Sequence, residues 1–337
     1  MAAGLFQRAP RGWLTMAHDI LIIRHPTNNP GFYDIITVWV DVNFPELTPL
    51  LDVQFLPGKP GDWSGRRLLV PWLNDPVEQW SMEAYAQAEA LAEECASRGI
   101  PVINRVRYLA NAGKFEGARR IASTGLRTPR TVRIDTPAKL REFRDTLLGL
   151  KLPLVLRNDW GHGPPMHRAD TLAEARAIPV EQLERPVAVE IIDVHDPRDG
   201  LHRKYRYVGA GDIGVSHHLQ ASTDWITRGG NRVDNAVTRA EELAYIGQPD
   251  PHHARFQAAM RALELDFAAF DYGYDRDGEV VVWEANPYPH IRMSTQNLTY
   301  RNHAIHRTLA AIARLYLVRA GLPVPAKLDD MLGYDKT

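Results

Sequence analysis

The sequence predicts an α/β protein of about two domains, and three observations carry that prediction. The chain has 337 residues, which at roughly 150 per domain suggests two. Apolar residues make up 45% of it, enough for a sizeable core. Short apolar runs bounded by Pro and Gly turns alternate with longer stretches of helical period.

The first block covers about 16–108. DILIIR (19–24) reads as a buried strand, and IITVWV (35–40), LDVQFL (51–56) and RLLVPW (67–72) read as further strands. A helix is expected over 81–97, with Gly99 as its stop, followed by a strand IPVIN (100–104). Next come a helix over 112–123 ended by Gly125, and a short strand TPRTVRI (128–134). Thr136 can cap a helix with Pro137 in its first position, running to about 148. LPLVLR, VAVEII, KYRYVG and GVSHHLQ are strands, and helices are expected over 252–264 and 303–319. The first 15 residues hold two arginines and no acid, faintly like a transit peptide; a flexible leader before Met16 is the preferred reading.

Composition excludes several functions. The formal net charge is -1, so no basic excess points to nucleic acid. No apolar run approaches the roughly 20 residues of a membrane span. The single cysteine, Cys95, permits no intrachain disulfide, fits a reducing cytoplasmic compartment and reads as a buried structural thiol. Among thirteen histidines, the neighbours His217 and His218 are expected on opposite strand faces, so they form no chelate. WITRGG (225–230) reads as a surface turn, with substrate contact as the alternative.

FAAFDYGYDRDGEVVVWEANPYPH (267–290) is the most informative stretch. Asp-Gly between two apolar runs signals a two-residue hairpin turn at Asp277 and Gly278. Counting outward, Asp271 then faces Glu284 directly, and Asn286 shares that face. A four-residue turn would leave the acids diagonal on one face, and a three-residue loop would send them to opposite faces. Two facing carboxylates repel, and a divalent cation such as magnesium offsets that naturally. A surface hairpin with hydrated acids is the alternative, but Glu284 lies in the apolar run VVVWEANPYP, where an unpaired charge is costly.

The order Asp, hairpin, Glu-x-Asn-Pro resembles the metal-binding end of ATP-grasp enzymes. That family includes glutathione synthetases, D-alanine–D-alanine ligases and ribosomal-protein glutamate ligases. The resemblance extends over about 100–290. It implies an N-terminal α/β domain followed by a two-lobed ATP-grasp module, with lobes at about 109–187 and 188–337.

The resemblance also implies roles. In PVINRVRYLANAGKFEGARR, Lys114 matches a nucleotide-contacting lysine. Arg157 ends the strand LPLVLR where the family normally has a second phosphate lysine, and arginine can bind phosphate bidentately. Gly161, His162 and Gly163 fall in the lid, whose glycines would let backbone amides approach phosphate. Glu190 and Ile192 fall at the adenine-holding hinge, with Asp193 as ribose ligand, and Arg206 matches an arginine that offsets charge as phosphate transfers. Asp271, Glu284 and Asn286 would hold magnesium, with manganese as an alternative. After Asn286 the chain reads PYPH, where many relatives have glycine in place of His290, so the substrate is left open.

The implied activity is an ATP-dependent ligation of a carboxylate to an amine through an acyl phosphate. The substrate would be a small molecule or peptide, and a homodimer is the assembly to test first because dimers are commonest. A small-molecule kinase and a non-catalytic nucleotide binder are the rivals, the latter favoured by Arg157.

Overall fold

A computed structural model describes residues 18–58, 65–160, 165–227 and 229–334. Among them the chain forms three sheets. The N-terminal leader reading and the lid residues Gly161, His162 and Gly163 lie outside the described residues.

The first sheet is parallel, in the order β2-β1-β3, with β1 Ile20–Arg24, β2 Leu51–Phe55 and β3 Leu68–Pro71. Its central strand is an unbroken apolar run because it is covered on both faces: every residue of β1 is buried. The stretch expected as a strand at 35–40 is instead the helix Ile35–Asn43. Its β-branched residues suggest a strand, but Ile36, Trp39 and Val40 fall on one helical face and are buried, while Val38 and Val42 are exposed. Tertiary packing, including a Trp39 indole N–H donated to His306 Nδ1 at 2.8 Å, overrides the local preference. The expected strand at 100–104 shrinks to one bridge, Val102 beside Leu69.

That segment ends in Asn104, fully buried at a φ of 49°. Its Nδ2 donates to the carbonyls of Phe267 at 2.7 Å and Pro287 at 3.1 Å. Its Oδ1 accepts from the backbone N–H of Asp266 at 2.9 Å and of Phe267 at 3.1 Å. Asn104 thereby pins the N-terminal sheet to both ends of the predicted metal hairpin. One continuous hydrophobic core runs through the N-terminal sheet and the C-terminal sheet.

The second sheet, in the order β4-β7-β5-β6, has a smaller core of its own around Phe143, Leu154 and Leu156. It contains β4 Thr131–Arg133, β5 Leu154–Asn158, β6 Met166–Ala169 and β7 Pro186–Glu190. Helix Pro137–Thr146 starts as expected, with Thr136 accepting from Lys139 N–H. It stops two residues early, where Leu147 and Leu148 turn left-handed. The third sheet, in the order β11-β10-β8-β9, is antiparallel, with β8 His202–Ala210, β9 Ile213–Ser222, β10 Phe267–Tyr274 and β11 Val280–Asn286. A helix not foreseen in the sequence, Ala236–Ile246, follows β9, begun by a capping box of Asn235 and Thr238. No helix among the described residues is long and apolar enough to cross a membrane.

Candidate nucleotide and metal site

The second and third sheets face each other across a cavity of about 1140 Å³. Lys114, Arg157, Glu190, Ile192, Asp193, Asp271 and Glu284 line it together, although they come from points scattered over 170 residues of sequence separation. Arg206 and Asn286 are not among the residues that line it.

The hairpin turn differs from expectation. Asp275 N–H donates to the Glu279 carbonyl at 3.0 Å, closing a three-residue loop of Arg276, Asp277 and Gly278. Gly278 takes the left-handed φ of +80° that this loop needs. Such a loop alone would send the acids to opposite faces. A β-bulge at Trp283 shifts the register by one, from Tyr272 opposite Val282 to Asp271 opposite Glu284. Asp271 and Glu284 are therefore directly paired as expected, by a different route. The bulge also turns two successive residues, Trp283 and Glu284, into the cavity.

Both carboxylates are met by cations. Arg206 grips Asp271 bidentately, Nε to Oδ1 at 2.6 Å and Nη2 to Oδ2 at 2.8 Å. Lys204 Nζ lies 3.1 Å from the same Oδ2. Burial opposes ionisation of Asp271, but Arg206 and Lys204 outweigh it and hold the carboxyl well below its usual range. Glu284 pairs with the Lys114 ammonium. Asn286 is buried, and its Oδ1 accepts from Tyr288 N–H at 3.0 Å.

Lys114 opens the helix Lys114–Ala122 and is held there by the end of β5. Its backbone N–H donates to the Asp159 carbonyl at 2.8 Å, and Phe115 N–H donates to Asp159 Oδ1 at 2.8 Å. Gly113 permits this approach: a Cβ there would sit 3.2 Å from the Ala110 carbonyl and 3.4 Å from Asp159 Oδ1. At the hinge, Glu190 Oε1 accepts from Lys151 N–H at 2.8 Å. Asp193 bonds His195 Nδ1 at 2.5 Å and pairs with Arg276 of the hairpin loop at 2.7 Å. Burial raises the Asp193 carboxyl, but His195 and Arg276 outweigh it and leave the carboxyl below its usual range.

Several residues of the cavity were not singled out in the sequence. Lys204, His202, Met166 and Arg168 are among them, and strand position alone carried no signal for them. The segment read as a surface turn lines the cavity through Trp225, Ile226 and Thr227. There the Arg168 guanidinium lies 5.3 Å from the Trp225 ring centre and joins the two sheets across the cavity. Arg228 falls outside the described residues.

The His217–His218 prediction is also corrected. A bulge in β9 moves the register from Arg206 opposite His218 to Tyr207 opposite Ser216. The two rings consequently approach to 5.1 Å instead of diverging. Burial pushes the His217 imidazole down to about 4, and His218 is also pushed well below the ordinary range, by burial and by Arg206. Cys95 is buried, and burial raises its thiol to about 12, as befits a structural role.

Neither a protein-family model nor a curated protein matches the sequence. Solved structures do match the fold. A D-alanine–D-alanine ligase from Bacillus anthracis, complexed with ATP, matches with a TM-score of 0.53 at 15% identity, over 91% of this chain and 100% of that one. A RimK domain ATP-grasp protein from Sphaerobacter thermophilus matches with a TM-score of 0.55 at 16% identity, over 88% of this chain and 99% of that one. The ATP-grasp ligase PsnB, complexed with minimal precursor, Mg and ADP, matches with a TM-score of 0.53 at 13% identity, over 88% of this chain and 97% of that one. With the two opposed sheets, the cavity between them and the acid-bearing hairpin on one wall, these likenesses show that the chain has the ATP-grasp fold.

Proposed function

We propose that this protein is an ATP-dependent carboxylate–amine ligase acting on a small-molecule or peptide substrate. The observation that carries the reading is the direct opposition of Asp271 and Glu284 on the cavity wall, with Lys114, Lys204 and Arg206 gathered around them. The neighbours named as ligases with ATP, or with Mg and ADP, support it.

Magnesium fits the donor set. Asp271, Glu284 and Asn286 offer only oxygen donors at one end of a hairpin. Among the described residues no three His, Cys, Asp or Glu side chains gather to enclose a metal. Magnesium needs no such cage, because it keeps waters and takes phosphate oxygens for the rest of its shell. When bound with nucleotide it would offset charge on the phosphates.

The hinge residues Glu190, Ile192 and Asp193 would take adenine and ribose. Lys114 and Arg157 would hold the phosphates. Arg206 fixes Asp271 and adds positive charge near the transferring group. In the reaction, a substrate carboxylate oxygen takes the γ-phosphoryl group and ADP leaves. The amine then attacks the acyl carbon, loses a proton and expels phosphate. The residues contribute position and charge rather than covalent chemistry.

The test is ADP release with Mg-ATP across a panel of carboxylates and amines, with mass spectrometry of the products. Wild type is run beside Glu284→Gln, whose folding is checked by its melting transition. A condensed product formed by wild type and lost in the variant is the expected result. A phosphorylated product that survives added amine would make the protein a kinase. Failure of wild type to bind Mg-ATP would sink the nucleotide reading altogether.

A further inference from the structure

We propose that Lys204 is a phosphate ligand of the bound nucleotide, parked on Asp271 until the nucleotide arrives; this rests on the nucleotide reading above. Lys204 and Arg206 are two apart on β8, so they share a face, and both reach Asp271. Arg206 alone already occupies both carboxylate oxygens, at 2.6 and 2.8 Å. Lys204 therefore adds a second cation to a carboxylate whose charge is met. Arg206 stays out of the cavity lining, while Lys204 is part of it.

The ion pairs point the same way. Lys114 pairs with Glu284, whereas Lys204 and Arg206 share the single carboxylate of Asp271. Lys204, its side chain only 19% exposed, has half a share in that carboxylate, and an added anion would meet its charge more fully. The cavity beside it has room for a polyphosphate. Lysine is suited to a change of partner, being a compact charge with three donors on a flexible stem. Because Arg206 remains on Asp271, Lys204 can swing to phosphate without leaving a buried carboxylate unpaired. Arg206 has no such freedom, since its departure would strand Asp271.

The experiment measures equilibrium binding of Mg-ATP, Mg-ADP and AMP to the full chain by calorimetry. Wild type, Lys204→Met and Lys204→Arg are compared. One charge-assisted contact of this kind corresponds to a loss of about tenfold or more. Lys204→Met is expected to weaken ATP and ADP by at least that factor and to leave AMP within about twofold. Lys204→Arg is expected to recover part of the loss. ATP affinity unchanged in Lys204→Met, with wild type binding normally, would overturn the role of Lys204 and spare the nucleotide reading. Equal loss for all three nucleotides would reduce Lys204 to a counter-ion of Asp271. No binding by wild type would bring down both.

Discussion

Asn104→Ala tests how the candidate site is held in place. The side chain is fully buried, and its amide serves two carbonyls and two backbone N–H groups on Asp266, Phe267 and Pro287. Leaving a buried backbone group unsatisfied costs about 1–3 kcal/mol. Some of the four will find water or a weaker partner, so the hydrogen-bond loss comes to about 3–4 kcal/mol. Alanine must also accept the φ of 49°, which adds about 1 kcal/mol. The expected total is about 4–5 kcal/mol, large for a single substitution. Asn104→Gly separates the contributions, because glycine takes this φ freely and should regain about 1 kcal/mol. Urea denaturation gives the totals, and amide exchange at 266 and 267 locates the change. The small sheet has a separate core and should keep its protection. A loss under about 1 kcal/mol for Asn104→Ala would refute the reasoning, since it would mean the buried amide is dispensable.

Two other outcomes follow from the geometry. His217 is buried, with its folded pKa near 4 against an ordinary 6.5, so the unfolded chain takes up the proton first. Its contribution to stability is full above pH 6.5 and is lost as pH falls toward 4, to a total of about 3 kcal/mol, and urea midpoints of wild type and His217→Gln should converge over that window; a pH-independent difference would refute this. Gly273→Ala would place a Cβ 2.6 Å from the Trp283 ring and 2.9 Å from the Arg203 carbonyl. We expect a loss of about 1–3 kcal/mol and a change in tryptophan emission that disappears in a Trp283→Phe background; an unshifted melting temperature would contradict the packing.

Much of the fold is legible because local signals and tertiary context agree. Thr136-Pro137 begins a helix, the stretch 81–97 yields the expected helix, and β1 reads as a buried strand from its composition alone. The failures occur where they conflict. Residues 35–40 are β-branched apart from Trp39 yet helical, because a helix buries Ile36, Trp39 and Val40 together and a strand cannot. Trp225 looks like turn furniture in the sequence and is a cavity wall in the fold, because only the meeting of two sheets places Arg168 beside it. Lys204 is silent for the same reason: its meaning depends on Arg206 having already satisfied Asp271.

The hairpin shows why a correct site can rest on an incorrect count. A two-residue turn puts Asp271 opposite Glu284. The actual three-residue loop would put Asp271 opposite Trp283 and point Glu284 away. The bulge supplies the missing residue, so loop and bulge together restore the pairing. The two departures are linked physically: each changes the register by one, and either alone would bury Glu284 in the apolar layer beneath the sheet. The cost of an unpaired buried carboxylate is what couples them. The bulged route also does something that the simpler hairpin cannot. Strict alternation would place Trp283 on the face opposite Glu284, whereas the bulge sends both into the cavity. The same device on β9 brings the His217 ring to 5.1 Å from that of His218. Bulges on two strands of one sheet thus place successive side chains on one side where a regular pleat would alternate them. Sequence parity conveys which face the acids share, while only the fold reveals what else the bulges bring to that face.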